Sequence, residues 1–128
     1  METSQELDNY INSYYTQELW FIKYKGNILY PCSGVRGYRT KAVAITNMVD
    51  TILDMVRHHT FSHLYANEEK IVTVKRLLDI PEEDMNRVLD KNQSDNTNII
   101  RLSKVRKYIK DTYIKKLMDN NILEIIKL

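Results

Sequence analysis

Apolar residues recur every three or four positions in several segments of this chain, which is the pattern of helices with one buried face. The longest of these helices is predicted over residues 41 to about 58, with Thr40 as its cap. Its apolar positions are Ala42, Ile45, Met48, Val49, Ile52, Leu53 and Val56. We expect it to be the central core helix. A shorter amphipathic helix is predicted over residues 5–15, capped by Ser4.

Residues 18–30 have the composition of a β-hairpin. Aromatic and β-branched residues dominate the first arm, and Ile28 to Tyr30 form the second. Between them, Lys25, Gly26 and Asn27 predict a tight turn. Pro31 ends the hairpin, because proline has no amide hydrogen to donate to a neighbouring strand.

The middle of the chain is predicted to be mostly helical. A helix is expected over residues 70–78 with its start at Asn67, although the β-branched run 71–74 would also suit a strand. Pro81 opens a second, short helix with Met85, Val88 and Leu89 facing inward. Residues 91–97 are polar and predict an exposed loop, and residues 99–102 a short strand.

The last thirty residues predict a basic helix that runs into a terminal strand. Ser103 is the expected cap, Asn120 and Asn121 the expected stop, and residues 122–128 the strand. The apolar stripe of the helix is Val105, Tyr108, Ile109, Thr112, Tyr113 and Leu117. Its other face is cationic, with Lys104, Arg106, Lys107, Lys110, Lys115 and Lys116.

Together these elements predict an α+β fold with an N-terminal helix and hairpin, a long central helix and a C-terminal helical part. At 128 residues we expect a single domain, with a subdivision at residues 66 and 67 as the alternative.

Charge is unevenly distributed along the chain. Residues 97–128 have eight Lys or Arg against three Asp or Glu, whereas residues 1–96 have eleven against fourteen. The net charge of +2 therefore hides a dipolar molecule. The basic helix is a candidate contact for a nucleic acid or a protein partner, and the competing interpretation is a solvated lysine-rich face.

The segment from Tyr113 to Ile125 resembles the end of the third helix and the first wing strand of winged-helix domains, in which a leucine, a short polar turn and an apolar strand follow one another. In that family the third helix enters the major groove and its basic residues contact phosphates. The resemblance implies a DNA-contacting helix over residues 103–119. The chain departs from the family pattern, because no second wing strand follows before Leu128.

A second candidate contact site is the glycine-bearing loop that opens the central helix. Gly34 and Gly37 flank Arg36, and Tyr38 and Arg39 follow. Such a loop can direct backbone amides at an anion, and an exposed Tyr38 would add a contact surface. The Gly-x-x-Gly spacing is similar to the loop of KH domains, whose flanking helices are missing here. A simple tight turn is the competing interpretation.

The sequence predicts no catalytic residue, no metal site and no cofactor. His58, His59 and His63 have only Cys32 and scattered acids to complete a zinc site, which normally needs three or four protein ligands. Residues 90–95 resemble the start of a calcium loop, but Asp95 stands at the glycine position and Arg101 at that of the bidentate glutamate. We therefore expect a binding protein and not an enzyme.

In size, composition and lack of catalytic motif the chain resembles the small inhibitor proteins of bacteriophages and other mobile elements, anti-CRISPR proteins among them. That resemblance implies a protein partner in the nucleic-acid-handling machinery of a host cell; the alternatives are a winged-helix DNA-binding regulator and a housekeeping subunit. A single cysteine and no long apolar run predict a cytoplasmic protein without a membrane partner. A homodimer would cover the apolar segment 122–128.

Overall fold

A computed structural model describes residues 4–15, 19–29, 37–61 and 67–127, apart from the side chains of residues 12–15 and 61. Helices make up 61% and strands 19% of the structure, and the strands form two small sheets. This confirms the predicted α+β class. No helix of the described segments is long and apolar enough to cross a membrane.

The larger sheet joins the two ends of the described chain. It contains β1 (Trp20–Tyr24), β2 (Asn27–Leu29) and β5 (Leu123–Lys127) in the order β2-β1-β5, all antiparallel. Trp20 lies opposite Lys127 and Tyr24 opposite Leu123. Lys25 and Gly26 both have positive φ angles, 49° and 84°, as a two-residue hairpin turn of type I′ requires. The predicted hairpin and terminal strand are therefore confirmed.

A short bridge ties the start of the central helix to the sheet. The amides and carbonyls of Trp20 and Tyr38 exchange hydrogen bonds of 2.7 and 2.8 Å. Gly37, beside this bridge, is buried against β1. A Cβ atom at position 37 would lie 2.9 Å from Leu19 Cβ and 3.0 Å from the Trp20 carbonyl oxygen. Glycine is therefore needed here for close approach of the backbone.

The central helix α2 (Lys41–Phe61) is confirmed and extends three residues beyond the predicted end. Thr40 caps it, since its hydroxyl oxygen accepts a hydrogen bond of 3.1 Å from the Val43 amide. Its buried residues are Ala44, Met48, Val49, Ile52, Val56 and Thr60. The prediction of a buried Ala42 is wrong, because the buried row passes through Ala44 and leaves Ala42 exposed.

Helix α1 (Gln5–Tyr15) is also confirmed, with the Ser4 hydroxyl accepting a hydrogen bond of 3.1 Å from the Leu7 amide. Its apolar residues Leu7, Tyr10 and Ile11 are 45%, 68% and 41% exposed. The amphipathic pattern therefore predicted the helix correctly, but the apolar face of the helix is not buried against the rest of the described chain.

Helix α3 (Asn67–Leu78) shows that the β-branched run 71–74 is helical. It ends at Asp79, whose positive φ of 47° allows the Ile80 amide to donate to the Lys75 carbonyl at 3.0 Å. A 3₁₀ helix (Glu82–Arg87) follows Pro81, as expected for a short helix there. Met85 and Val88 are buried, and Leu89 is half-buried.

The polar segment 91–97 was predicted as a loop, and this prediction is wrong only at its first residue, because Lys91 belongs to a strand. Strand β3 (Leu89–Lys91) pairs antiparallel with β4 (Asn98–Ile100), Leu89 opposite Ile100. Only residues 92–97 form the connecting loop, in which the Asp95 carboxylate accepts hydrogen bonds from the Thr97 hydroxyl and amide at 2.7 and 3.1 Å. These short strands lack the alternation of buried and exposed residues that predicts a strand.

The basic helix, residues 102–119, has an irregular middle. It consists of α4 (Leu102–Tyr108), a π-helical segment (Ile109–Tyr113) and α5 (Ile114–Asp119). The Ile114 amide donates to the Ile109 carbonyl five residues earlier, the bond that defines a π turn. The prediction that Ser103 caps the helix is wrong. The helix starts at Leu102, and Arg101 occupies the cap position without a side-chain hydrogen bond to the helix.

The predicted stop of the basic helix at Asn120 and Asn121 is confirmed. Asn121 has a φ of 59°, and the Ile122 amide donates to the Leu117 carbonyl at 2.9 Å. This left-handed C-terminal cap turns the chain directly into β5. The Lys25 amide, in the hairpin turn, donates to the Ile122 carbonyl at 2.8 Å and holds the cap beside β1.

Gly37→Ala is expected to destabilise the fold by about 1–3 kcal/mol, because the new methyl group would overlap Leu19 and the Trp20 carbonyl. Urea unfolding followed by circular dichroism measures this loss. Gly26→Asn is the control, since nothing lies within 4 Å of a Cβ there and asparagine tolerates positive φ. Equal losses for both variants would contradict the packing role of Gly37.

The pKa of the Asp90 carboxyl is held below its ordinary value of 3.8, first by a hydrogen bond from the Lys91 amide and then by one from Arg101. The charged form therefore stabilises the β3–β4 hairpin above that ordinary pKa, and the contribution is lost as pH falls through the lowered value. Arg101→Ala should raise the pKa of Asp90 part of the way back, because the Lys91 amide still donates.

Carbon-detected NMR titration of the carboxyl groups measures this shift. Asp95 serves as the internal control, because its pKa is lowered by Thr97 and not by Arg101. An unchanged Asp90 pKa in the Arg101→Ala variant, or an equal shift at Asp95, would show that the ion pair does not act on Asp90.

Candidate functional site

The inner face of the basic helix packs into the core. Val105, Tyr108, Ile109 and Ile114 are at most 3% exposed. Of the predicted stripe, Thr112, Tyr113 and Leu117 are only half-buried, and the buried Ile114 was missed. The π segment explains both errors. Five residues rotate an α-helix by about 500°, which would place Ile114 about 140° away from Ile109. A π turn instead brings residues five apart closer to the same side of the helix.

Three of the six predicted contact cations are used inside the fold. The Lys104 ammonium donates to the Leu89 carbonyl at 2.8 Å, and that of Lys116 to the Asp79 carbonyl at 3.1 Å. Arg106 forms an ion pair with Asp50 of α2. All three side chains are half-buried. Their role in the structure is to hold the basic helix against the hairpin, the end of α3 and the central helix.

The other three cations, Lys107, Lys110 and Lys115, point away from the core. Each is exposed, and none has a hydrogen-bond or ion-pair partner among the residues that the structure describes. The π turn also acts on this outer side, because it brings Lys110 and Lys115, five residues apart, toward the same side of the helix. These three lysines are the part of the predicted site that is free to contact another molecule.

The outer side of the helix carries acids as well as bases. Asp111 and Asp119 are exposed. Together with two of the lysines they surround a shallow depression of about 480 Å³, lined by Asp111, Thr112, Lys115, Lys116, Asp119 and Asn120. Its two cations and two carboxylates balance in charge. The C-terminal half of the basic helix therefore presents a mixed surface, not a uniformly positive one.

A second cavity, of about 290 Å³, lies between the 3₁₀ helix and the N-terminal half of the basic helix. It is lined by Asn86, Arg87, Lys104, Lys107 and Tyr108. Sequence reasoning missed Asn86 and Arg87 as site residues and assigned Tyr108 to the core. Nothing in the local pattern around Arg87 signals this role, because it depends on the packing of the 3₁₀ helix against a helix that begins fifteen residues later.

In the described part of the glycine-bearing loop, Tyr38 does not form the exposed contact that the sequence predicted. Tyr38 is half-buried against the core, and its hydroxyl donates to Asn47 Oδ1 of α2 at 2.9 Å, so the expectation of an exposed Tyr38 is wrong. Arg39 is exposed. Arg36 and Gly34 lie outside the described residues. Tyr38 instead anchors the start of the central helix to the sheet.

The described residues contain no group of three His, Cys, Asp or Glu side chains placed to hold a metal ion. His58 and His59 are exposed near the end of α2, with ring centroids 5.4 Å apart. His63 and Cys32, which were considered with them, lie outside the described part of the chain.

The chain was compared with family models, with curated proteins and with solved structures, and no match was found. Exposed ammonium groups beside carboxylates, as on the outer face of the basic helix, are able to form ion pairs and hydrogen bonds with a complementary surface.

Removing a cation that has a partner inside the fold should lower stability more than removing one that has none among the described residues. Lys104→Ala should lower the free energy of unfolding by about 1–2 kcal/mol, because it removes a charged donor from the half-buried Leu89 carbonyl. Lys107→Ala, one turn later and without a described partner, should change it by less than about 0.5 kcal/mol. Urea unfolding measures both. Equal effects would mean that Lys104 does not hold the hairpin to the helix.

Proposed function

We propose that this chain is a small non-enzymatic binding protein that docks on a protein partner through the outer face of the basic helix. The partner that we propose is a component of the nucleic-acid-handling machinery of a host cell. We propose that this chain itself is a phage or mobile-element inhibitor or modulator of that machinery. The observation that carries the docking proposal is the mixed charge of that face: Lys110 and Lys115 are exposed beside Asp111 and Asp119.

Mixed charge favours a protein over a nucleic acid. A phosphate backbone laid along this face would meet the Asp111 and Asp119 carboxylates as well as the lysines, and like charges repel. A protein surface can instead offer carboxylates to the lysines and cations to the aspartates. Complementary pairs of this kind raise the association rate and exclude wrong partners.

The charge distribution over the whole chain supports a strongly charged partner. Residues 1–96 have a net charge of −3 and residues 97–128 of +5. Glu68 and Glu69, at the start of α3, are exposed. A dipolar molecule is oriented by the field of a partner that has one strongly charged groove, as proteins that handle nucleic acids do.

The second candidate is a DNA-binding regulator that uses the basic helix as a winged-helix domain does. What favours it is the set of three exposed lysines without described partners. Three lysines neutralise at most about three phosphates, so the expected slope of log affinity against log salt is about −3. Proteins that make 6–10 phosphate contacts reach much steeper slopes, and we therefore rank DNA binding second.

Fluorescence anisotropy with a random duplex tests this ranking. We expect weak binding at low salt, a slope no steeper than about −3, and little binding at a physiological salt of about 0.15 M. Micromolar binding at that salt with a steeper slope, abolished by Lys110→Glu with Lys115→Glu, would overturn the protein-docking proposal and support the DNA-binding one.

The protein partner is tested with the same double variant as bait in cell extract. A partner held by this face should be captured by the natural chain and by the Arg57→Glu control, which reverses one exposed charge on α2, but not by Lys110→Glu with Lys115→Glu. Capture that is equal for all three baits would show that the partner, whatever it is, does not bind the basic helix.

A further inference from the structure

The cavity between the 3₁₀ helix and the basic helix differs in charge from the rest of the surface. Three of its five lining residues are cations, Arg87, Lys104 and Lys107, and no carboxylate lines it among the described residues. Lys107 has no described partner. Lys104 uses one of its three N–H donors on the Leu89 carbonyl, which leaves two others.

Arg87 is held in place at the wall of this cavity. Its guanidinium carbon lies 4.6 Å from the centroid of the Tyr108 ring, and the side chain also donates to the Thr112 hydroxyl. Asp84 lies 3.8 Å from the guanidinium, a distance at which the pair is a loose one. An arginine oriented in this way loses little freedom when it binds an anion.

Tyr108 is a buried part of the cavity wall. The residue is 1% exposed, and the Arg87 guanidinium lies over its ring. Its hydroxyl oxygen is closed to solvent and has no hydrogen-bond partner among the described residues. A ligand in the open cavity cannot reach that oxygen, so the groups that can bind a ligand are the three cations and Asn86.

We propose that this cavity binds a dianionic phosphate group, either free or as the end of a small phosphate ester. Three cations with one neutral donor, Asn86, match a group that has nearly two negative charges and three acceptor oxygens. A carboxylate has one charge and two oxygens. The volume of about 290 Å³ lies at the lower end of the roughly 300–1,000 Å³ of ligand pockets, which suits a phosphate with a small substituent.

This site does not depend on the protein partner proposed above. Lys110 and Lys115, on which the docking proposal rests, do not line the cavity. The variants that test the two proposals are therefore different, and one proposal can fail while the other holds.

The test is a ¹⁵N NMR titration with inorganic phosphate and with methyl phosphate, ionic strength being held constant with sodium chloride. We expect saturable binding with shifts concentrated at Asn86, Arg87, Lys107 and Tyr108, and much weaker binding of acetate. Lys107→Ala should weaken phosphate binding about tenfold, as expected for a lost charged donor. Arg57→Ala, which removes an exposed charge that does not line the cavity, should change it less than twofold.

Tyr108→Phe is a further control, because it keeps the ring and removes only the buried hydroxyl. The hydroxyl has no described partner, so its removal should leave the melting temperature unchanged or raise it, and phosphate binding should change less than twofold.

Two outcomes would overturn the proposal: no saturable phosphate binding, or equal weakening of phosphate binding by Lys107→Ala and Arg57→Ala. If methyl phosphate binds as tightly as inorganic phosphate, the site accepts a phosphate ester. If only inorganic phosphate binds, the site is restricted to free phosphate.

Discussion

The pairing of β1 with β5 is the interaction on which the rest of the fold depends. The two strands come from opposite ends of the described chain and match over five residue pairs. Bringing distant segments together has an entropic cost that only burial can offset. Ile22 and Leu123, 2% and 1% exposed, belong to the same buried cluster as the inner residues of the central helix. The pairing therefore requires the helices between the two strands to be packed at the same time.

The basic helix connects this sheet with the candidate sites. Its C-terminal cap at Asn121 turns the chain into β5, so the position of the helix follows from the sheet. The π segment then sets which residues face inward, because it keeps both Ile109 and Ile114 in the core. The same turn sets which lysines share the outer side. Packing of the core thus determines the arrangement of charges at the surface.

Cations that look alike in the sequence have different roles once they are placed. Lys104, Arg106 and Lys116 have partners on three other elements, and these interactions fix the helix. Lys107, Lys110 and Lys115 are left for contacts outside the chain. The two surfaces that result differ in chemistry: one mixes lysines with aspartates, and the other combines the cations Arg87, Lys104 and Lys107 with Asn86 and Tyr108.

The sequence alone determined the local elements, because capping and turn geometry depend on neighbouring residues. Ser4 and Thr40 mark helix starts, Gly26 marks the hairpin turn, and Asn121 marks the end of the basic helix. The exposure of Lys107, Lys110 and Lys115 agrees with the predicted outer face of the basic helix. The strand β3 was not predictable in this way, since its polar residues are stabilised by pairing with β4 and not by a buried face.

Only the tertiary structure decided which of the predicted residues are free. A lysine without a partner and a lysine that holds a carbonyl have the same local sequence signal, and the difference arises from elements far away in the chain. The π turn could not be predicted from a period of 3.6 residues, and it moved Ile114 into the core. The cavity of Arg87 and Tyr108 exists only where two helices meet. Local patterns encode local hydrogen bonds and amphipathic faces, whereas a binding site is set by distances between segments that are remote in sequence.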